Sequence, residues 1–437
     1  MRKLLTFGMI ALLLAGCKKE EQVVAQKETV EQVIEQAQTM PLSELYRRAA
    51  AESDGKVFYG IGNSSRGSAA GETFIKELQK VNPSYSGKVQ WFVPKNNSIF
   101  TLLTADAYKI TPVYSMTLIQ DGNLIQRKML NTGYLLNYIP KEWKDAPGTN
   151  EQENGHPFAL QTLNKVFEFN NTNNSETFRN CWDFVYKDIH PLFMGVDGEP
   201  VGKNFLYMLT NDTYASYLKD AYNALPQEKK DYFDSIINGV SSDVARLGLT
   251  SQNAKYALAY IKLWCAQYKA MVDDGPICTE LTDIAGSGKC GLLVYSKFRS
   301  IKETQTSSVN NATVAAYQDG YKGIGGYAYK HYLQIPRTSP LPWTACAFIA
   351  YMTTSKEGFY PWGRDMGGYC SNPACNQEHS KDGYTDGVEL YPAKNDRGYD
   401  WWISPSGGRL VVENPEYCAK VSAKLADWID EQAGLHL

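Results

Sequence analysis

The chain has 437 residues, with 44 Lys and Arg against 47 Asp and Glu, a net charge of −3. That length supports two or three domains with a sizeable core, and a content of 43% hydrophobic residues excludes a disordered chain. The near-neutral balance argues against nucleic acid as the main partner, because phosphate binding needs a basic surface. No stretch beyond the first twenty residues is apolar for long enough to span a bilayer.

At the N-terminus, Arg2 and Lys3 precede an apolar run from Leu4 to Leu14, followed by Leu14-Ala15-Gly16-Cys17. The run is too short for a spanning helix and resembles a bacterial lipoprotein signal. Residues 1–16 read as a signal peptide, Cys17 as the lipid acceptor, and 17–40, rich in Gln, Glu, Lys and Val, as a polar tether. The expected location is the cell envelope, lipid-anchored to a membrane and facing periplasm or exterior.

The next segments alternate between helix and strand. Leu42–Ala51 has helical spacing, and Asp54-Gly55 turns into a strand at Lys56–Ile61. The polar loop Gly62-Asn63-Ser64-Ser65-Arg66-Gly67 leads into a helix carrying Phe74, Leu78 and Val81, and Lys88–Val93 is the next strand. This strand–loop–helix–strand opening starts an α/β unit. Further along, Val113–Ile119, Val166–Phe169 and Tyr332–Ile335 read as strands. Ile125–Leu130, Phe205–Leu209, Tyr256–Ala270, Ala345–Thr353 and Ala419–Glu431 read as helices. Polar linkers at 170–175 and 302–311 are candidate lobe boundaries.

Motifs for catalysis are scarce. H-E-x-x-H and G-x-S-x-G are absent, and Gly286-Ser287-Gly288-Lys289-Cys290 lacks the first Gly and the Ser/Thr of a phosphate loop. Besides Cys17 there are eight cysteines, at 181, 265, 278, 290, 346, 370, 375 and 418. Disulfides or free thiols are both open for them, with Cys278/Cys290 and Cys370/Cys375 close enough in the chain to pair. Cys370, Cys375 and His379 are a weaker metal set because no fourth ligand is evident. No metal and no cofactor is expected.

Loops at strand ends carry more information. In an open α/β sheet, ligands sit beyond the carboxyl ends of the strands. Asn63, Ser64, Ser65 and Arg66 fall there, ahead of a helix whose first N–H groups are unpaired. Serine hydroxyls and a guanidinium add donors suited to an anion or a polyhydroxyl group; plain helix capping by Ser is the alternative. A second loop of this type, Asp197 to Asn204, precedes the helix at Phe205.

The stretch Leu45–Ser68, LYRRAAAESDGKVFYGIGNSSRGS, resembles the start of the mature domain in bacterial extracellular solute-binding proteins, in the branch that includes ferric iron, thiamine, phosphonate and sugar-phosphate binders. Ala105-Asp106, Ile119-Gln120-Asp121, Thr132–Leu136 and Tyr138-Ile139-Pro140 resemble the segment that follows, and Lys165–Asn171 resembles the hinge strand. Phe193–Phe205 is similar to the second-lobe strand and helix start, with Glu199–Lys203 where the family often has Ser-Gly-Thr. Ile335-Pro336-Arg337, Ala345–Met352 and Ser355–Gly358 are similar to the return strand and late helix. The resemblance covers 215–320 and 376–437 poorly.

It implies an α/β, two-lobed periplasmic binding protein type 2 fold with hinge strands. Lobe 1 would take 41–165, lobe 2 would take 166–325, and 326–437 would hold the hinge return, the rest of lobe 1 and C-terminal helices. It also implies a monomeric, non-enzymatic substrate-binding component that delivers a small-molecule or ion ligand to an ABC permease. The implied contacts are Asn63, Ser64, Ser65, Arg66, Gln120 and Asp121 from lobe 1, and Gly202, Lys203 and Asn204 from lobe 2. Tyr327, Tyr329 and Tyr332 lie near the return hinge, where they read either as an iron-binding tyrosinate set or as strand packing. Trp343 reads either as core or as a stacking platform. Two other functions stay open: a surface adhesin or receptor that kept the fold, and a glycan hydrolase using a carboxylate pair.

Overall fold

The computed structural model describes residues 28–94, 97–172, 178–197, 201–283, 285–286, 288–300, 312–363, 368–376 and 396–434. Outside these residues lie the signal and Cys17, Gly198 to Pro200 of the second loop, Ser287, His379, the linker at 302–311 and residues 173–175 of the first linker.

The described strands are β1 (Val57–Gly62), β2 (Lys88–Phe92), β3 (Tyr114–Ile119), β4 (Leu135–Leu136), β5 (Ala159–Asn170), β6 (Leu192–Phe193), β7 (Lys269–Ala270), β8 (Cys290–Val294), β9 (Ala312–Val314), β10 (Gly326–Pro336), β11 (Tyr369–Cys370) and β12 (Val411–Val412). They form one mixed sheet whose main path runs β2-β1-β3-β10-β5-β8-β6-β7. On one side, β2, β1 and β3 are parallel, joined through helices, as parallel strands require. On the other, β8, β6 and β7 are parallel. Between them β5 and β10 run antiparallel to each other and carry the chain across. The far end of β10 pairs with β3, Leu333 opposite Leu118, while the far end of β5 pairs with β8, Phe167 opposite Leu292. Each long strand therefore belongs to both lobes.

Separate cores fill the lobes. In lobe 1, Phe74 of the Arg66–Val81 helix stacks on Phe348 of the Pro342–Thr354 helix at 4.7 Å, and Phe58 meets the same ring edge-on at 5.9 Å. Burying each such ring stabilises by about 2 kcal/mol. In lobe 2, Trp264 of the Ala254–Gln267 helix packs against Phe167, Phe193 and Phe205.

Two terminal helices have placements that the tether and domain expectations leave out. Val30–Ala37 docks on lobe 1 through buried Val30, Val33, Ile34 and Ala37, an i, i+3, i+4, i+7 stripe, and Thr29 with Gln32 closes its N-terminus as a capping box. The expected tether thus has a docked end. The C-terminal helix, Pro415–Gln432, buries Cys418, Leu425, Trp428 and Ile429 in the lobe 2 core. Its Ser422 hydroxyl accepts from Arg127 of lobe 1 at 2.9 Å. It therefore braces both lobes. Among the described residues no helix is long and apolar enough to cross a membrane.

Candidate functional site

A cleft of about 440 Å³ opens where the two lobes meet over the hinge strands. Lobe 1 contributes Asn63, Ser64, Ser65, Arg66 and Gln120; the hinge strands contribute Lys165 and Tyr329. Lobe 2 contributes Asp273, Asp274, Ser296 and Lys297, with Met194, Val201 and Val294 as its apolar wall.

The lobe 1 wall is built by strand ends. The Asn63 amide N–H donates to Leu118 O at 3.1 Å, and Asn63 Oδ1 accepts from the Gln120 N–H at 3.2 Å, so the chain leaving β1 is tied to the chain leaving β3. Ser65 stands at the N-cap of the Arg66–Val81 helix, exposed, with its hydroxyl making no cap bond. Its side chain lines the cleft and does not cap the helix. Arg66 is held by its Nη1, which donates to Pro361 O at 2.8 Å. The Gln120 side chain lies 3.0 Å from Nε2 of buried His331, whose Nδ1 lies 3.0 Å from Gln161 Nε2. Burial, helped by the positive charge of Arg66, pushes the His331 pKa down to about 3, so the ring is neutral at physiological pH.

The floor and the lobe 2 wall are charged. Lys165 is 2% exposed, and its ammonium donates to both carboxylate oxygens of Asp274 at 3.2 and 3.4 Å. Lys297 reaches Asp273 at 3.6 Å. Asp273 is the N-cap of the Asp274–Thr282 helix, accepting from the Gly275 N–H. Two helix N-termini from opposite lobes therefore line the cleft with Arg66, Lys165 and Lys297, two of those cations being balanced by aspartates.

Six of the twelve predicted contacts, Asn63, Ser64, Ser65, Arg66, Gln120 and Tyr329, come together here. The other six lie elsewhere. Asp121, Lys203 and Asn204 line a separate cavity of about 220 Å³. Lys203 is held there by Asp430 of the C-terminal helix at 2.7 Å and by Asp197 at 2.8 Å. Gly202 is buried, where a Cβ would stand 2.4 Å from Gly195 O. Tyr327 packs into the lobe 2 core against Phe205 at 5.6 Å. Trp343, at the start of the Pro342–Thr354 helix, is buried in the lobe 1 core away from the cleft, with Arg48 4.3 Å over its ring and its indole N–H donating to Glu28 at 3.3 Å. Tyr332, the third of the hinge tyrosines, turns away to donate to Glu413 at 2.7 Å. Tyr327 lies beside the same Glu413 carboxyl, so of the three only Tyr329 lines the cleft and they form no common ligand set there. Among the described residues no three His, Cys, Asp or Glu side chains converge as metal ligands.

Sequence reasoning missed Lys165, Asp273, Asp274, Ser296 and Lys297. Lys165 lay inside the recognised hinge segment, but nothing in the sequence marked it as the residue under the cleft. The other four fall in the stretch that the resemblance covers poorly.

By sequence, no family model and no curated protein matches the chain. Its fold does match solved structures. The ferric binding protein from Campylobacter jejuni aligns over 86% of this chain and 99% of its own, with a TM-score of 0.54 and 12% identity. The apo ferric ion-binding protein A of Pasteurella haemolytica gives 0.54 and 11% over 86% and 98%. The binding protein AgtB from A. tumefaciens R10, in complex with agropinic acid, gives 0.50 and 12% over 86% and 98%. At such identities the likeness is one of fold: this chain has the α/β architecture of the two-lobed periplasmic binding proteins.

Proposed function

We propose that the chain is the lipid-anchored substrate-binding component of an ABC importer, capturing a small anionic or polyhydroxylated solute between its lobes by hinge closure. The observation that carries this reading is the cleft itself, lined from both lobes and floored by the two strands that join them. A ligand touching both walls favours the closed state by its contacts with the second wall, which is how a population shift works. Arg66, Lys165, Lys297 and the two helix N-termini favour an anionic group; Asn63, Ser64, Ser65, Gln120, Ser296 and Tyr329 suit hydroxyls. Ferric iron and agropinic acid are ligands of proteins with similar folds, and a shared fold alone does not bring them to this cleft. For this chain the separated tyrosines weigh against an iron site of paired tyrosinates. Cys17 would carry the lipid, and the permease would be the membrane partner of a monomer.

The two cleft carboxylates, Asp273 and Asp274, are chain neighbours that each face a lysine. That arrangement supports binding rather than the acid–base pair of a glycan hydrolase. One observation favours the adhesin or receptor reading: a buried hydrogen-bond network centred on Asn204 ties the lobes together outside the cleft. Thermal unfolding of a lipid-free chain against sugars, sugar phosphates, phosphonates, polyamines, thiamine and ferric salts separates the readings. A ligand bound only by the native state raises the melting temperature by mass action. A shift abolished by Ser65→Ala and Lys165→Met supports solute capture; a flat panel from a folded protein favours the receptor.

A further inference from the structure

The Asn63–Arg66 loop is the largest single contribution to the cleft, and one side chain outside the cleft lining holds it. Trp91 lies on β2 opposite Gly60 of β1, half-buried, and its indole N–H donates to the Ser64 carbonyl at 2.9 Å. Three glycines make room for its ring. A Cβ on Gly60 would lie 2.2 Å from Trp91 Cε3, one on Gly62 2.6 Å from Cζ2, and one on Gly67 2.1 Å from Cε2. Gly60 and Gly62 alternate onto one face of β1, and Gly67 is in the first turn of the helix beyond the loop. The indole thus touches the chain before and after the loop and hydrogen-bonds its middle. Trp362 closes the slot, edge-on to Trp91 at 6.3 Å, and its neighbour Pro361 supplies the carbonyl that holds Arg66.

We propose that Trp91 is the positioning residue of this cleft, its N–H and its three-glycine slot setting where Ser64, Ser65 and Arg66 stand. Packing alone needs an aromatic ring of suitable size; positioning needs the N–H as well. The functional meaning rests on the reading of the cleft as a solute site, but loop geometry is measurable without any ligand, so the two stand or fall separately.

The test is hydrogen exchange of the ligand-free protein. Replacing Trp91 by benzothienylalanine, which keeps the bicyclic shape and substitutes sulfur for the N–H, removes one hydrogen bond and little else. Exchange over residues 63–68 is expected to rise about tenfold, the effect of losing roughly one hydrogen bond. Residues 57–61 and 88–92 keep their protection. Trp91→Phe gives the same local pattern by ordinary mutagenesis, and Gly67→Ala gives it by driving the ring out. Gly71→Ala, whose Cβ would meet Val89 at 2.5 Å, is the packing control and leaves 63–68 protected relative to its neighbours. Unchanged exchange at 63–68 in the benzothienylalanine protein overturns the proposal. So does a rise spread evenly over β1, the loop and β2, which would mark Trp91 as packing only.

Discussion

Asp121, at the end of β3 in lobe 1, accepts a hydrogen bond at 3.0 Å from Asn204, at the start of the Gly202–Leu209 helix in lobe 2. The same Asn204 Nδ2 donates to Glu413 at 2.9 Å, whose second oxygen accepts from Tyr332 of the return hinge strand. Asn97 and the Leu124 N–H complete the donors to Asp121. Two residues expected to hold ligand from opposite sides thus hold each other.

This network makes stability depend on pH. Burial pushes Asp121 up to about 6, against the hydrogen bonds from Leu124, Asn204 and Asn97 and the charge of Lys128. Burial pushes Glu413 up to about 7, reinforced by Asp121 and opposed by Tyr332, Asn204 and Tyr327. Both groups bind protons more tightly in the folded chain. Their stabilisation is complete below the unfolded values near 4 and is lost as pH rises through 6 and 7. Urea unfolding between pH 5 and 8 should show this decline, and Glu413→Gln should flatten it; an unchanged slope in the variant removes Glu413 from the account.

Asn204 itself can be tested by changing donor to acceptor. Asn204→Ala leaves two buried carboxyls without a shared donor and should cost roughly 2 kcal/mol. Asn204→Asp keeps the shape but places a third acid in the network. Its deficit should exceed that of Asn204→Ala at pH 8 and shrink at pH 5, as protonation restores a donor. Equal deficits at both pH values would argue that only packing is lost.

The parts of the fold that the sequence makes legible are those with one buried face or a marked helix start. The loop Asn63–Arg66 announces itself by Gly and Ser ahead of an amphipathic helix. The hinge strands do not: all twelve residues of β5 and all eleven of β10 are buried, so no alternation survives. Only 166–169 and 332–335 read as strand, because Gln161, Thr162, Asn164, Lys165, Lys330 and His331 look like surface residues until their partners are known. The lobe 2 wall was illegible for another reason. Asp273 and Asp274 start one helix and Lys297 belongs to another element, and only the sheet order brings the two together beside Lys165. Lys203 and Asn204 mark a genuine helix start, but sequence could not tell which of two cavities that start borders.

Trp343 offers a sharp contrast between fold and site. It packs under Arg48 and Glu28 in lobe 1, so Trp343→Ala should destabilise by about 2–3 kcal/mol through lost packing. It should leave ligand dissociation constants within about twofold, since the side chain stands outside the cleft. Calorimetric titration of the variant checks this, and a large loss of affinity at wild-type stability would return Trp343 to the cleft.

The eight described cysteines are buried thiols, none of them joined in a disulfide. Burial pushes the Cys181, Cys265 and Cys278 thiols up to about 12, which removes the reactive thiolate. A thiol reagent should therefore find those three unreactive in the native lipid-free chain, and all eight should titrate in denaturant without reductant. Fewer than eight in denaturant would reveal disulfides, such as Cys278–Cys290 or Cys370–Cys375.

Solute capture by this cleft requires that one solute be gripped from both lobes. Its most direct test is the thermal-unfolding panel run in parallel on the wild type, on Arg66→Ala from lobe 1 and on Lys297→Ala from lobe 2. At least one solute should raise the wild-type melting temperature, with the concentration needed rising about tenfold or more in both variants. A shift that only one of the two variants weakens would contradict capture between the lobes, and chemical turnover of the solute would contradict a binding protein altogether.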